Sequence, residues 1–262
     1  MAAQSSRRIK QVIQNVARLF TESTPRPRPA MPITYATPKD MPVQPTGLRP
    51  LDKALDIGGL PLGRITELIG PGVTPISGGT TSIAARIAAK VQRQQDIVSI
   101  IDLSRTFDIY QAERCGLVAP HLLVTQPDTI FSAVSALESA ARTARLVAVT
   151  MGTVTDLLAN IEIEPLRLLL RRLQTITRAS DSAFLFITAP SEENPFDPLN
   201  YPAGFPLSEM ADVRLWVQNE AWTHKDSLAT AYKANLTVIK NQFGLAGKSA
   251  NIRIKFDFGD KL

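Results

Sequence analysis

Cysteine is almost missing from this 262-residue chain: the single Cys115 excludes a disulfide framework and fits a reducing cytoplasm. Histidine is as scarce. His121 and His224 lie far apart, no His/Cys cluster has metal-ligand spacing, and no metal site is expected. Long apolar runs are missing too; the longest are strand-length, so no membrane span or membrane partner is expected. Arginines near the N-terminus have no apolar signal core behind them, which argues against export and for a cytoplasmic protein.

What remains is an ordinary globular composition, with 44% apolar and 20% charged residues. The length suffices for one large α/β domain or two small ones. The net charge of +5 is unevenly placed. Residues 1–50 carry eight Lys/Arg against two acids, residues 51–224 carry 14 against 19, and residues 225–262 carry seven against three. A basic arm and a basic tail flank an acidic centre. Positive ends attract phosphate backbones, although scattered surface charge is more often merely solvated.

Ile9, Val12, Ile13, Val16, Leu19 and Phe20 recur at helical spacing, with Arg7, Arg8, Lys10 and Arg18 around them. The pattern predicts an amphipathic helix of about three turns. It is too short to hold alone and needs a surface, on its own domain or on a neighbouring subunit. Seven prolines from Pro25 to Pro45 make the next segment an extended, stiff arm. Within it, Ile33–Ala36 suits an edge strand for another sheet. Residues 1–45 are therefore expected to form helix and arm, and residues 46–262 a core domain.

In the core, apolar runs at Arg64–Ile69, Ile97–Asp102, Leu146–Thr150 and Phe184–Thr188 read as buried strands. Helical stretches near Thr80–Gln94, Thr106–Gly116, Ile130–Arg142 and Pro165–Ala179 separate them. The alternation predicts an α/β fold with a mainly parallel sheet covered by helices. Val213–Val217, Tyr232–Ile239 and Asn251–Phe258 then follow without intervening helices, which predicts antiparallel strands at the C-terminal end.

From Thr46 the chain reads Thr-Gly-Leu-Arg-Pro-Leu-Asp-Lys-Ala-Leu, and from Gly58 Gly-Gly-Leu-Pro-Leu-Gly-Arg-Ile-Thr-Glu-Leu-Ile-Gly-Pro. Both segments closely resemble the lead-in to the phosphate loop of bacterial RecA recombinases. The resemblance continues at Ile101-Asp102, Asp108, Gly116-Leu117 and Gln126-Pro127-Asp128-Thr129. It returns at Val238-Ile239-Lys240-Asn241, similar to the family's penultimate core strand. It covers most of residues 46–258 in the family's order and implies a RecA/RadA-type core without the family's small C-terminal domain. The N-terminal helix and arm sit where RecA carries its subunit-docking helix and strand.

The residues that this resemblance assigns to hydrolysis are replaced. A phosphate loop reads G-x-x-x-x-G-K-[ST], with backbone amides around the phosphates, a lysine on their charge and a hydroxyl on Mg²⁺. The segment from Gly70 to Thr81 is three residues longer, and Pro75 interrupts its amides. Gly78 and Gly79 precede Thr80 and Thr81, so the hydroxyls persist while Gly79 stands in place of the lysine. A glycine-rich strand-to-helix turn without a ligand is the plainer reading of this segment. Ser104 stands where the resemblance puts the water-activating glutamate, Thr150 where it puts the Mg²⁺-orienting aspartate, and Ala189 where it puts the γ-phosphate-sensing glutamine. Of two lysines implied to act across a subunit interface, Lys240 matches and Gln242 replaces the other. Asp108 keeps an adenine-contact position, while Tyr110 falls one residue early and Gln111 takes the stacking position. Together these changes remove the electrostatic machinery of phosphoryl transfer. A pseudo-ATPase without a cofactor is expected. The competing reading is a residual ATP/Mg²⁺-binding ATPase in which Lys90 or Lys240 substitutes for the missing lysine.

Residues 190–206, equivalent to the family's second DNA-binding loop, hold five prolines and three acids, and no Lys or Arg occurs between Arg178 and Arg214. An acidic loop opposes phosphate binding, so Phe196, Tyr201 and Phe205 are read as partner-docking residues ahead of base-stacking ones. Arg167, Arg171, Arg172 and Arg178 share a helix, ordinarily a solvated face. Weak single-stranded DNA contacts are expected from Arg7, Arg8, Arg26 and Arg28, and partner docking from Ile9, Val12, Ile13, Val16 and Phe20. The resulting expectation is an accessory or assembly factor in DNA recombination and repair. It is similar to the short RecA-related proteins that accompany error-prone polymerases (the ImuA type). Its expected partner is a RecA-type recombinase, a repair polymerase subunit or a second copy. Direct, weak single-stranded DNA binding is the alternative class.

Overall fold

Runs of Ile, Leu, Val and Phe place the strands, and alanine-rich or amphipathic stretches between them place the helices. The structure, a computed structural model, describes residues 40–70, 79–152, 163–189, 207–226 and 228–258. An antiparallel ribbon of β1 (Val43–Gln44) and β2 (Leu60–Pro61) brackets helix α1 (Arg49–Ala54). Then β3 (Ile65–Ile69), α2 (Gly79–Gln92), β4 (Val98–Asp102), α3 (Ile109–Arg114), β5 (Leu122–Thr125), α4 (Ile130–Thr143), β6 (Leu146–Gly152), α5 (Ile163–Arg178), β7 (Ala183–Thr188) and α6 (Leu207–Met210) follow in turn. Finally β8 (Val213–Lys225), β9 (Leu228–Asn241) and β10 (Ser249–Lys255) run consecutively.

One eight-stranded sheet results, in the order β10-β9-β8-β3-β7-β6-β4-β5. Its pairs from β8 to β5 are parallel, and β8–β9 and β9–β10 are antiparallel. The expected mainly parallel sheet with an antiparallel C-terminal end is thus the fold observed. Every residue of β3, β4 and β7 is buried, as covering both faces requires. On one face Leu51, Ile83, Ile87, Leu68, Leu236 and Ile254 join a core under α1 and α2. On the other, Leu137 of α4 and Leu173 of α5 pack with Ile65, Phe184 and Phe186. Ala84, Ala85, Ala88 and Ala89 are buried along α2, where small side chains bring the helix close to the sheet. Among the described residues no helix is long and apolar enough to cross a membrane.

Three expectations need correction. Residues 106–108 are not helical; α3 starts at Ile109 because Asp108 accepts hydrogen bonds from the Tyr110 and Gln111 amides and caps it. Leu122–Thr125 is a strand that was not expected, an edge strand whose last three residues are exposed and so lack a core pattern. The strand from Val213 extends to Lys225 and its partner covers Leu228–Asn241, since polar residues on their upper halves mask the alternation. The expected N-terminal helix and arm, residues 71–78 and the loop 190–206 lie outside the described residues.

Candidate functional site

Parallel register aligns the carboxyl ends of the central strands. Asp102 pairs with Thr150, and Ile69 and Gly152 both pair with Thr188. The Gly70 amide donates to the Thr188 carbonyl at 3.1 Å. Chain order places β7 and β6 between β3 and β4, and the carboxyl ends beside such a crossover are the usual ligand position of doubly wound sheets. Gly70, Gly79, Thr80, Thr81, Ser104, Thr150 and Ala189 all lie at this end of the sheet. Gly78, Phe196, Tyr201, Phe205 and the N-terminal candidates Arg7, Arg8, Ile9, Val12, Ile13, Val16, Phe20, Arg26 and Arg28 lie outside the described residues.

Asp102 is the centre of the arrangement and is fully buried. Its Oδ1 accepts a short bond from the Thr150 hydroxyl, one from Ser104 Oγ at 3.2 Å and one from the Thr106 amide at 3.1 Å. Its Oδ2 accepts from the Phe107 amide at 3.1 Å and Gln126 Nε2 at 3.0 Å. Burial raises this carboxyl's pKa, but the bonds from Thr150, Gln126, Phe107 and Thr106 outweigh it and hold the group below the ordinary carboxylate value. An ionised carboxylate has about four lone-pair sites, and five donors saturate them. Ser104 and Thr150, both in positions that the resemblance gives to carboxylates, are hydroxyl donors to the one carboxylate present.

The start of α2 is filled from the opposite side. Tyr232 is fully buried and donates its hydroxyl to the Glu220 carboxylate. A Cβ added at Gly79 would lie 2.1 Å from Glu220 Oε1, 2.4 Å from Tyr232 Oη and 2.6 Å from Tyr232 Cζ. A lysine at this position has no space while these groups stay in place. Lys90 does not replace it, since it packs against Gly47 near the far end of α2, about 16 Å along the helix from Gly79. Thr80 Oγ1 is the one feature that still suits a bound metal or phosphate: it is buried and has no hydrogen-bond partner among the described residues. Among those residues no three His, Cys, Asp or Glu side chains group to hold a metal ion. MgATP therefore does not fit the described residues around Gly79 and Asp102.

Other expected positions have structural roles. Gln111 turns inward to Ser82 Oγ at 3.2 Å, and Tyr110 stands 73% exposed beside it. Lys240 pairs with Arg214, itself opposite Glu67 in the middle of β3, and donates to the carbonyls of Ser208 and Glu209, both at 3.1 Å. Arg172 forms an ion pair with Glu138 at 2.9 Å, while Arg171 and Arg178 are exposed. Sequence reading missed the Glu67–Arg214 ion pair, 2.7 Å long and almost fully buried, with Thr188 donating to Glu67 at 2.8 Å. Burial pushes the Glu67 carboxyl up in pKa against the attraction of Arg214. A charged residue inside the run Ile-Thr-Glu-Leu-Ile was the available signal, because buried charges demand partners.

The model of the RecA N-terminal domain matches residues 7–260, nearly the whole chain. The chain belongs to the RecA family. It is 33% identical to the RecA protein of Thermus thermophilus over 234 residues, covering 83% of this chain and 68% of that one. It is 32% identical to RecA of Thermus aquaticus over the same length. A 126-residue stretch is 37% identical to RecA of Syntrophus aciditrophicus, 48% of this chain and 36% of that one. Among solved structures, the RadB recombinase superposes with a TM-score of 0.59 at 18% identity, covering 80% of this chain and 96% of that one. That likeness concerns the fold. Within the RecA family, this chain sets the hydroxyls of Ser104 and Thr150 on Asp102 and brings Tyr232 and Glu220 up to Gly79.

Proposed function

We propose that the chain is a catalytically degenerate RecA-family protein, an accessory or assembly factor in DNA recombination and repair that works through protein contacts. The observation that carries this reading is the Asp102 centre, where Ser104 and Thr150 donate hydroxyl hydrogens in place of two functional carboxylates. Phosphoryl transfer relies on positioned charge more than on covalent help from the protein. Neutral hydroxyls bonded to a saturated carboxylate neither orient a metal nor take a proton from water. The kinship with RecA proteins supplies the field of action.

Assembly is favoured by the opposite edge of the sheet. Strand β5 pairs with β4 alone among the described residues, and Leu123 and Val124 on it are 51% and 44% exposed. Ile97 and Val118 add exposed apolar surface beside it. An open apolar edge is a template for a further strand. On this reading the part of residues 1–45 that precedes β1 is the docking segment, and the core that receives one starts at β1. The segment comes from a second copy, a RecA-type recombinase or a repair polymerase subunit.

The purified full chain is expected to release no phosphate from ATP or GTP. Mg²⁺-dependent turnover that disappears in Thr80→Ala would overturn the reading. Light scattering and pull-downs should show association for the full chain and its loss in a version starting at Pro45; unchanged mass and unchanged capture would remove the docking role.

A further inference from the structure

The glycine at position 79 has a cause more than 140 residues away in sequence. Strand β8 runs beside β3 only as far as Trp216, opposite Ile69, and then continues to Lys225 beyond the carboxyl end of the parallel sheet. That overhang carries Glu220 and Trp222, and β9 sets Tyr232 opposite Trp222. Three rings lock in sequence: Tyr232 lies 4.9 Å from Trp222, which stacks 5.8 Å from Phe256. The Tyr232 ring thus cannot swing aside cheaply, and its hydroxyl ends on Glu220. Burial and the neighbouring carboxylate both push the Tyr232 pKa up, so the phenol stays a protonated donor at any ordinary pH.

We propose that Tyr232 and Glu220 form an internal plug, filling from β8 and β9 the space at the start of α2 that a phosphate-binding lysine and a nucleotide phosphate would share. The plug acts in two ways. Its ring and carboxylate exclude atoms sterically, with separations of 2.1–2.6 Å from a Cβ at position 79. Burial raises the Glu220 pKa and the Tyr232 hydrogen bond opposes that rise; in its ionised form the acid suits the dipole of α2 and repels an incoming phosphate. The core is thereby held in one arrangement without ligand, and its partner contacts are not switched by nucleotide. This inference rests on the degenerate reading of the site and goes beyond it: loss of catalytic groups prevents hydrolysis, whereas a plug prevents binding.

The test is a thermodynamic cycle on the full chain, read by thermal unfolding. At an unobstructed helix start Gly→Ala is neutral or stabilising, because alanine loses less backbone entropy. Against the plug, Gly79→Ala should instead lower the melting temperature by roughly 3–6 °C. In a Glu220→Ala/Tyr232→Leu background, the same substitution should cause no loss or a small gain. Should that background fail to fold, Glu220→Ala/Tyr232→Phe keeps the ring and should reduce the loss from Gly79→Ala by about half or more. Equal losses in both backgrounds, or none in either, would overturn the plug. A second arm adds millimolar MgATP or pyrophosphate to the unmodified chain, and no shift in melting temperature is expected. A saturable upward shift overturns the plug, and if phosphate release is absent it leaves the proposed function standing. The cycle needs no partner, so a failed partner search does not touch it.

Discussion

Asp102 shows what single residues decide here. Five donors converge on its carboxylate, so each is a testable contributor. Thr150→Ala removes one hydrogen bond to a charged group and should cost about 1.5–3 kcal/mol in urea unfolding. Thr150→Asp should cost more, since it sets a second carboxylate against the first. That excess should shrink as acid protonates one of them. The sign of the wild-type pH dependence follows from the lowered pKa of Asp102. Its contribution is fully present above the unfolded carboxylate value, about 3.9, and is lost as pH falls through the lower folded value. Asp102→Asn should flatten that acid limb, and an unchanged limb would assign it to other groups. The Glu67–Arg214 pair makes a separate prediction. Arg214→Met leaves a buried acid without its counter-charge and should destabilise by about 3–5 kcal/mol, less if Glu67 is changed to Leu as well.

Elements add roles that isolated residues do not reveal. The resemblance puts Asp108 at an adenine contact, and its position one residue before α3 makes it a helix cap as well. Asp108→Ala should therefore cost about 0.5–2 kcal/mol, and Asp108→Ser should restore most of it, because a hydroxyl also accepts from the first-turn amides. Recovery by serine would not be expected of a charged ligand contact. Strand β5 is the other case. Its Leu-Leu-Val-Thr run has the composition of a strand but not the burial of one, and only its register with β4 identifies it as the sheet edge. A Leu123→Lys/Val124→Lys variant should abolish association in light scattering while leaving the melting temperature nearly unchanged, since both side chains face solvent. Persisting association would move the interface elsewhere.

At the scale of the whole molecule, charge governs what the protein attracts. The positive excess lies in residues 1–50 and 225–262, around an acidic centre, although the net charge is +5. Single-stranded DNA binding should accordingly be weak, fall steeply with salt and show no sequence preference, because phosphate contacts carry no base information. Fluorescence anisotropy over a salt series should show the affinity disappearing when residues 1–44 are deleted and surviving Phe196→Ala/Tyr201→Ala/Phe205→Ala. The opposite pattern would make the 190–206 loop a stacking platform.

Much of this protein was legible before any fold was known. The ordered RecA-like segments and the alternation of apolar runs determined the parallel sheet, its helical cover and the family, because motif and periodicity are local properties of the chain. The resemblance also marks Gly79, Ser104, Thr150 and Ala189 as replacements, the reading on which the proposed function rests. What these residues touch was decided only in three dimensions. Ser104 and Thr150 converge on Asp102 because β4 and β6 pair in one particular register. Gly79 faces Tyr232 and Glu220 because β8 overshoots β3. Lys240, matched by sequence, directs its ammonium to the carbonyls of Ser208 and Glu209. Local patterns record which residues a segment contains; which side chains meet depends on strand order and register, and these are set by packing across the whole sheet.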